Sequence, residues 1–242
     1  MSFSMSGLIM PMLLRLNDTS TALAADEERF GDFEEDSIIT ICCTWGDKLA
    51  DGVLTYSIVG NVDAEKKEAV HNAISDWDDK IDLINLEEVP SIQPKKVRPD
   101  IQIRFISDGE EFKEGPETAG NTKTKLDKFG FIDYNIITIA ERGLGKAFDI
   151  KTTETIAKHE LGHALGLGHA NFGSNLMTTK IESAAEEISS CELEAVSQAN
   201  GWKLLDENNE DYYHDNNNNN NSNSNSNSNP KFPTVNKIMC ES

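Results

Sequence analysis

The sequence predicts an α+β fold in the order strand, helix, strands, helix, helix. Three patterns predict it: apolar alternation over short segments, an apolar stripe at helical spacing, and a histidine-bearing segment that ends in glycines. Gly52–Val59 alternates Leu54, Tyr56 and Ile58 with smaller or polar residues, the period of a half-buried strand. Asp63 can cap the helix that follows, where Val70, Ile74, Trp77 and Ile81 form an inward stripe. His71 lies off that stripe, which makes it a surface side chain rather than a ligand. Leu83–Val89 reads as a strand, and Ile101, Ile103 and Phe105 mark another by alternation. Phe131–Ala140 carries the run Ile136-Ile137-Thr138-Ile139 and is a strand by its β-branched content. Between these two, Ser107–Lys128 reads as a loop with a polar edge strand around Thr118–Lys125. Thr152 or Thr153 can cap the next helix, which runs to about Leu165. Ser189 with Glu192 matches a capping box and opens a final helix bearing Leu193, Val196 and Ala199, stopped by Gly201.

A chain of 242 residues suits one large domain, or one domain with tails. Residues 1–25 resemble an export leader, with an apolar stretch Gly7–Leu14 and small residues at Ala22-Leu23-Ala24. A working leader implies an extracellular or cell-surface protein; without one the protein stays inside the cell. Residues 26–44 read as an acidic linker, 45–206 as the folded domain, and 207–242 as a tail rich in Asn and Ser with little to bury. The apolar stretch falls short of the ~18 residues that span a bilayer, so no transmembrane segment is expected. The formal charge of −20 repels a phosphate backbone or an anionic lipid surface, which excludes nucleic-acid partners. The four cysteines allow three pairings or none; Cys42 and Cys43 are adjacent and are not expected to join. The absence of a Cys-x-x-Cys spacing argues against a cysteine metal site.

The informative stretch is His159-Glu160-Leu161-Gly162-His163-Ala164-Leu165-Gly166-Leu167-Gly168-His169. Residues four apart share a helix face, so His159 and His163 can converge on one ion. Glu160 lies about 100° further round the axis, where its carboxylate can reach a metal-activated water without acting as a ligand. On a straight helix His169 would sit about 15 Å along the axis from His159, too far to join them. Gly166 removes the obstacle, because glycine adopts positive φ and can end the helix in a turn. Gly168 adds slack. Three neutral imidazoles leave the fourth position of a tetrahedral Zn²⁺ open, the catalytic arrangement. Zinc is preferred over copper or nickel because a closed-shell Lewis acid suits hydrolysis.

With these residues the chain resembles the metzincin zinc endopeptidases, and among them the matrixins. Asn175-Leu176-Met177 falls where matrixins place the turn whose methionine floors the zinc site, so the resemblance implies that role for Met177. It implies an α/β sandwich: a twisted, mostly parallel sheet with two long helices, an active-site helix bearing the first two ligands, the Met-turn and a C-terminal helix. The likeness covers roughly residues 45–205. Ala170 and Thr178-Thr179-Lys180 depart from the family pattern, and no cysteine-switch segment precedes the domain, so specificity and latency do not transfer. Only His71 and His214 remain outside the motif, so one zinc is expected; a calcium loop is not evident.

The implied activity is that of a monomeric endopeptidase acting on protein or peptide substrates. Glu160 would accept a proton from the attacking water and return it to the leaving amine. An extended substrate would pair with the sheet edge near Thr118–Lys125. Two other readings stay open: a catalytically silent zinc-binding surface protein, and a zinc aminopeptidase.

Overall fold

The computed structural model describes residues 37–82, 84–90, 98–106, 112, 118–143, 145–180, 184–201 and 236–240. The leader, the acidic run 26–36, most of the loop after Phe105, the Asn/Ser-rich run and His214 lie outside the described residues. The fold is mixed α+β around a five-stranded sheet. β2 (Val53–Val59), β3 (Asn85–Glu88), β4 (Ile101–Ile106), β5 (Gly120–Leu126) and β6 (Ile132–Ala140) stand in the order β3-β2-β4-β6-β5. All pairs are parallel except β5–β6, which places the polar strand β5 antiparallel at one margin. The apolar residues of the alternating segments, Leu54, Ile58, Ile101, Ile103, Ile137 and Ile139, are buried. Leu83 lies outside the described residues.

Helix α1 (Ala64–Asp78) packs on α2 (Ile150–Ala164). Asp63 caps α1 as expected, accepting from the Lys66 amide at 2.9 Å. Val70, Ile74 and Trp77 form its inner stripe; Ile81 is buried too but lies past the helix end. Trp77 ties the helices together by donating its indole N–H to the Lys158 carbonyl at 3.0 Å. The cap of α2 is Asp149, not Thr152 or Thr153: its carboxylate accepts the Thr152 amide at 2.7 Å, and the Thr153 hydroxyl turns back onto the Asp149 carbonyl. A carboxylate one turn earlier outcompetes a hydroxyl for the same orphan amides. Helix α3 (Ser189-capped, Ser190–Ala199) has the expected capping box and ends at Asn200, just before Gly201.

The chain ends depart from expectation. β1 (Ile38–Ile41), placed by sequence in the linker, is the middle strand of an antiparallel three-stranded sheet. Its neighbours are β9 (Leu167–Ala170) and β10 (Lys237–Met239), the latter placed by sequence in the tail. A short hairpin, β7 (Arg142–Gly143) and β8 (Lys146–Ala147), joins β6 to α2. Disulfides join Cys191 to Cys240 and, against expectation, Cys42 to its neighbour Cys43. Gly166 fixes the latter segment, since its carbonyl accepts both the Cys42 and the Cys43 amide.

Candidate metal centre

Helix α2 is buried along its second half, from Ile156 to Ala164. Its carbonyl end is closed by side chains. The Ala164 carbonyl accepts from Trp45 Nε1 (3.0 Å) and Asn135 Nδ2 (3.1 Å), and the Leu165 carbonyl from Asn200 Nδ2 (2.9 Å). These bonds satisfy carbonyls that a helix terminus leaves without an intrahelical partner. The chain then turns at Gly166, with φ +106°, and a side chain there would run into the Cys43 carbonyl. It enters β9 directly, so His169 is presented by a strand pinned against β1, with its carbonyl accepting from the Thr40 hydroxyl at 3.1 Å. Gly168 serves close packing rather than slack: a Cβ there would overlap the Thr40 side chain.

This path brings together the three predicted histidines. One nitrogen from each of His159, His163 and His169 lies within 4.8 Å of the others, and the ring centroids are 4.7, 4.8 and 5.4 Å apart. His159 Nδ1 donates to the Leu176 carbonyl at 2.7 Å and His163 Nδ1 to the Leu167 carbonyl at 2.8 Å. A carbonyl can only accept, so both Nδ1 atoms carry a proton, and in the neutral ring the lone pair is then on Nε2. Burial first, and then the adjacent His163 and His169 rings, push the His159 pKa well below the usual histidine range, which keeps the ring neutral. Its Nε2 is buried and meets no hydrogen-bond partner among the described residues. Three converging imidazoles, two of them oriented by backbone carbonyls, are a donor set that fits a divalent zinc ion.

Glu160 is buried beside the cluster, with Oε2 accepting from the Thr122 hydroxyl at 2.7 Å. Met177 is fully buried beneath α2, and Gly162 makes the room, because a Cβ at that position would fall 2.5 Å from Met177 Sδ. The Met177 amide donates to Asn175 Oδ1 at 2.9 Å, and the Met177 carbonyl accepts the Ala170 amide at 2.8 Å. The turn is thereby joined to the strand that bears His169. Lys158, next to His159, is buried. Burial opposes its charge, but Asp76 and Glu154 hold it, and its pKa is raised overall. His71 stays away from the site, on the surface, 3.3 Å from Glu88.

Sequence reasoning missed Thr122, Gly120 and Gly162, which touch site residues from other elements. Glu192 was read only as part of a capping box, yet its other oxygen accepts the Leu176 amide in the Met-turn.

The family model of the matrixins, a class of peptidases, matches residues 44–199. Curated proteins give no match by sequence. Among solved structures the chain is similar to myroilysin, at 17% identity and a TM-score of 0.35, over 55% of this chain and 54% of that one. The chain thus spans about half the length of myroilysin. It is also similar to archaemetzincin from Methanopyrus kandleri, at 10% identity and a TM-score of 0.42, over 61% of this chain and 94% of that one. The family match takes in the sheet, both long helices and the histidine cluster, and the chain belongs to the matrixins, a family of zinc-dependent metalloproteases.

Proposed function

We propose that this protein is a zinc-dependent endopeptidase, with His159, His163 and His169 as ligands, Glu160 as general base and Met177 as the apolar floor. The observation that carries the reading is the approach of three imidazole nitrogens to within 4.8 Å of one another beside a buried carboxylate. A zinc ion bound there would supply Lewis-acid chemistry, making water a nucleophile near neutral pH and polarising the scissile carbonyl. The Glu160 carboxylate takes the proton from the attacking water and hands it to the departing amine nitrogen, which leaves with the bond broken. The Leu176 and Leu167 carbonyls hold the His159 and His163 rings in register through this exchange.

An extended substrate adds to β5, which among the described residues pairs with a strand on one side only and offers backbone amides and carbonyls along its outer edge. The catalytic unit is a single domain spanning about residues 45–206, extended by β1 and β10, and it acts as a monomer. Two disulfides support an oxidising, extracellular setting. Among the described residues no helix is long and apolar enough to cross a membrane.

The test is cleavage of an internally quenched peptide blocked at both ends. Cleavage should stop with a chelator and return with zinc. Glu160→Gln should keep zinc and lose about 100-fold or more in kcat. His169→Ala should lose zinc on dialysis. Cleavage indifferent to chelation, or requiring a free amino terminus, overturns the proposal.

A further inference from the structure

Two residues of the edge strand β5 meet the Glu160 side chain. Gly120 and Thr122 lie two apart in the strand and so share one face. The Thr122 hydroxyl sits 2.7 Å from Glu160 Oε2 and 3.0 Å from the Glu160 carbonyl, and Thr122 is buried. A Cβ at Gly120 would fall 2.9 Å from both Cδ and Cγ of Glu160 and would overlap Oε1. One position supplies a donor, the other leaves a space, and the carboxylate lies in the seat between them.

We propose that Thr122 is a positioning residue for the general base, holding Glu160 by Oε2 so that the carboxylate keeps one orientation, with Gly120 leaving the space this orientation needs. The terminal torsion of a glutamate is broad and two-fold, so an untethered carboxylate samples many orientations. A hydroxyl has one hydrogen to give, and 2.7 Å is the length of a well-formed O–H···O bond. Donation to Oε2 fixes the rotation of the carboxylate, and with it the direction in which the group presents its lone pairs to a proton. The Glu160 carbonyl, 3.0 Å from the same hydroxyl, is a longer alternative acceptor for that single hydrogen. The sheet edge that pairs with substrate in the proposed function thus also sets the direction of the base. This inference rests on Glu160 acting as that base.

Thr122→Val removes the hydroxyl at nearly constant volume, and Thr122→Ser keeps it. With zinc bound, Thr122→Val should lower kcat about 10- to 100-fold with KM changed less than about twofold and zinc content intact. Thr122→Ser should recover to within about threefold of the parent protein. Gly120→Ala, which leaves the hydroxyl in place and fills the space, should lower kcat by a similar factor. A Thr122→Val kcat within about twofold of the parent, or a Thr122→Ser as damaged as Thr122→Val, overturns the proposal. A second readout uses the metal-free protein and no catalysis. In a double-mutant cycle of Thr122→Val with Glu160→Ala, the folding equilibrium constant should depart from additivity by about fivefold or more. Additivity within about twofold overturns the contact itself. A parent protein without peptidase activity would defeat the proposed function, while this cycle would still decide whether Thr122 holds Glu160.

Discussion

Glu192 Oε1 accepts the Leu176 amide at 3.0 Å, and the carbonyl of that same Leu176 accepts His159 Nδ1–H at 2.7 Å. One peptide turn therefore stands between a buried carboxylate on α3 and an imidazole of the candidate metal centre on α2. The other Glu192 oxygen takes the Ser189 amide and hydroxyl, so the side chain is committed at both ends. Replacing Glu192 with Ala leaves the buried Leu176 amide without an acceptor and removes half of the capping box at Ser189. It should cost about 2–4 kcal/mol of stability, about 1–3 kcal/mol for the orphaned amide and about 1 kcal/mol for the weakened cap. Zinc affinity should fall about 10- to 100-fold, the usual effect of losing a group that orients a ligand. Urea unfolding of the metal-free protein and competition against a chelator measure the two separately. Full zinc affinity in a destabilised variant would show that the turn keeps His159 aimed without Glu192.

Gly162 faces Met177, and the space between a Cβ there and the sulfur is 2.5 Å. Gly162→Ala should therefore destabilise by about 1–3 kcal/mol through overpacking, despite alanine's better helix propensity. Thermal melting measures the loss. Shortening Met177 to Ala in the same chain should recover part of it, and failure to do so would locate the clash elsewhere.

Tyr56 is buried in β2, and burial first, then the charges of Glu88 and Asp78, raise its pKa from 10 to about 12. The folded state thus favours the neutral phenol. This contribution is fully present below pH 10 and is lost as pH climbs through the window toward 12. Tyr56→Phe cannot ionise, so its urea midpoint should fall less steeply than the parent's across that window. Parallel slopes would mean that Tyr56 titrates normally.

The Cys191–Cys240 disulfide closes a span of 49 residues and staples β10 to α3. Replacing both cysteines by Ser should cost about 2–4 kcal/mol, mostly by freeing the unfolded chain. Comparing the melting temperatures of the two proteins without reductant checks it; equal values would mean that β1 holds β10 unaided.

Much of this architecture was legible because it rests on local periodicity. The stripe of Val70, Ile74 and Trp77, the alternation at Ile101 and Ile103, and the glycine after a His-x-x-x-His helix each encode their structure within a few residues. Ile38-Ile-Thr-Ile41 is as β-prone as any strand here, but it follows an acidic run, and its partners lie about 130 and 200 positions away. No short window carries that pairing. The site divides the same way. Residues of the histidine motif announce themselves, whereas Thr122 reads as one polar residue in a strand of Lys and Thr, and only the fold brings it to Glu160. Glu192 was visible as a cap, but its second bond belongs to tertiary structure.

β1 runs antiparallel to β10, so the first and last described residues of the fold meet: the Cys240 amide donates to the Ser37 carbonyl at 2.7 Å. These two ends of the described fold are neighbours, as in domains that tolerate being spliced into a host loop. The described unit is therefore a natural candidate for circular permutation, with Ser37 and Cys240 bridged by a short linker and new termini opened between Gly201 and Asn236. Such a rearranged protein would keep the strand pairings around the histidines while both chain ends fall in the asparagine-rich stretch of the sequence.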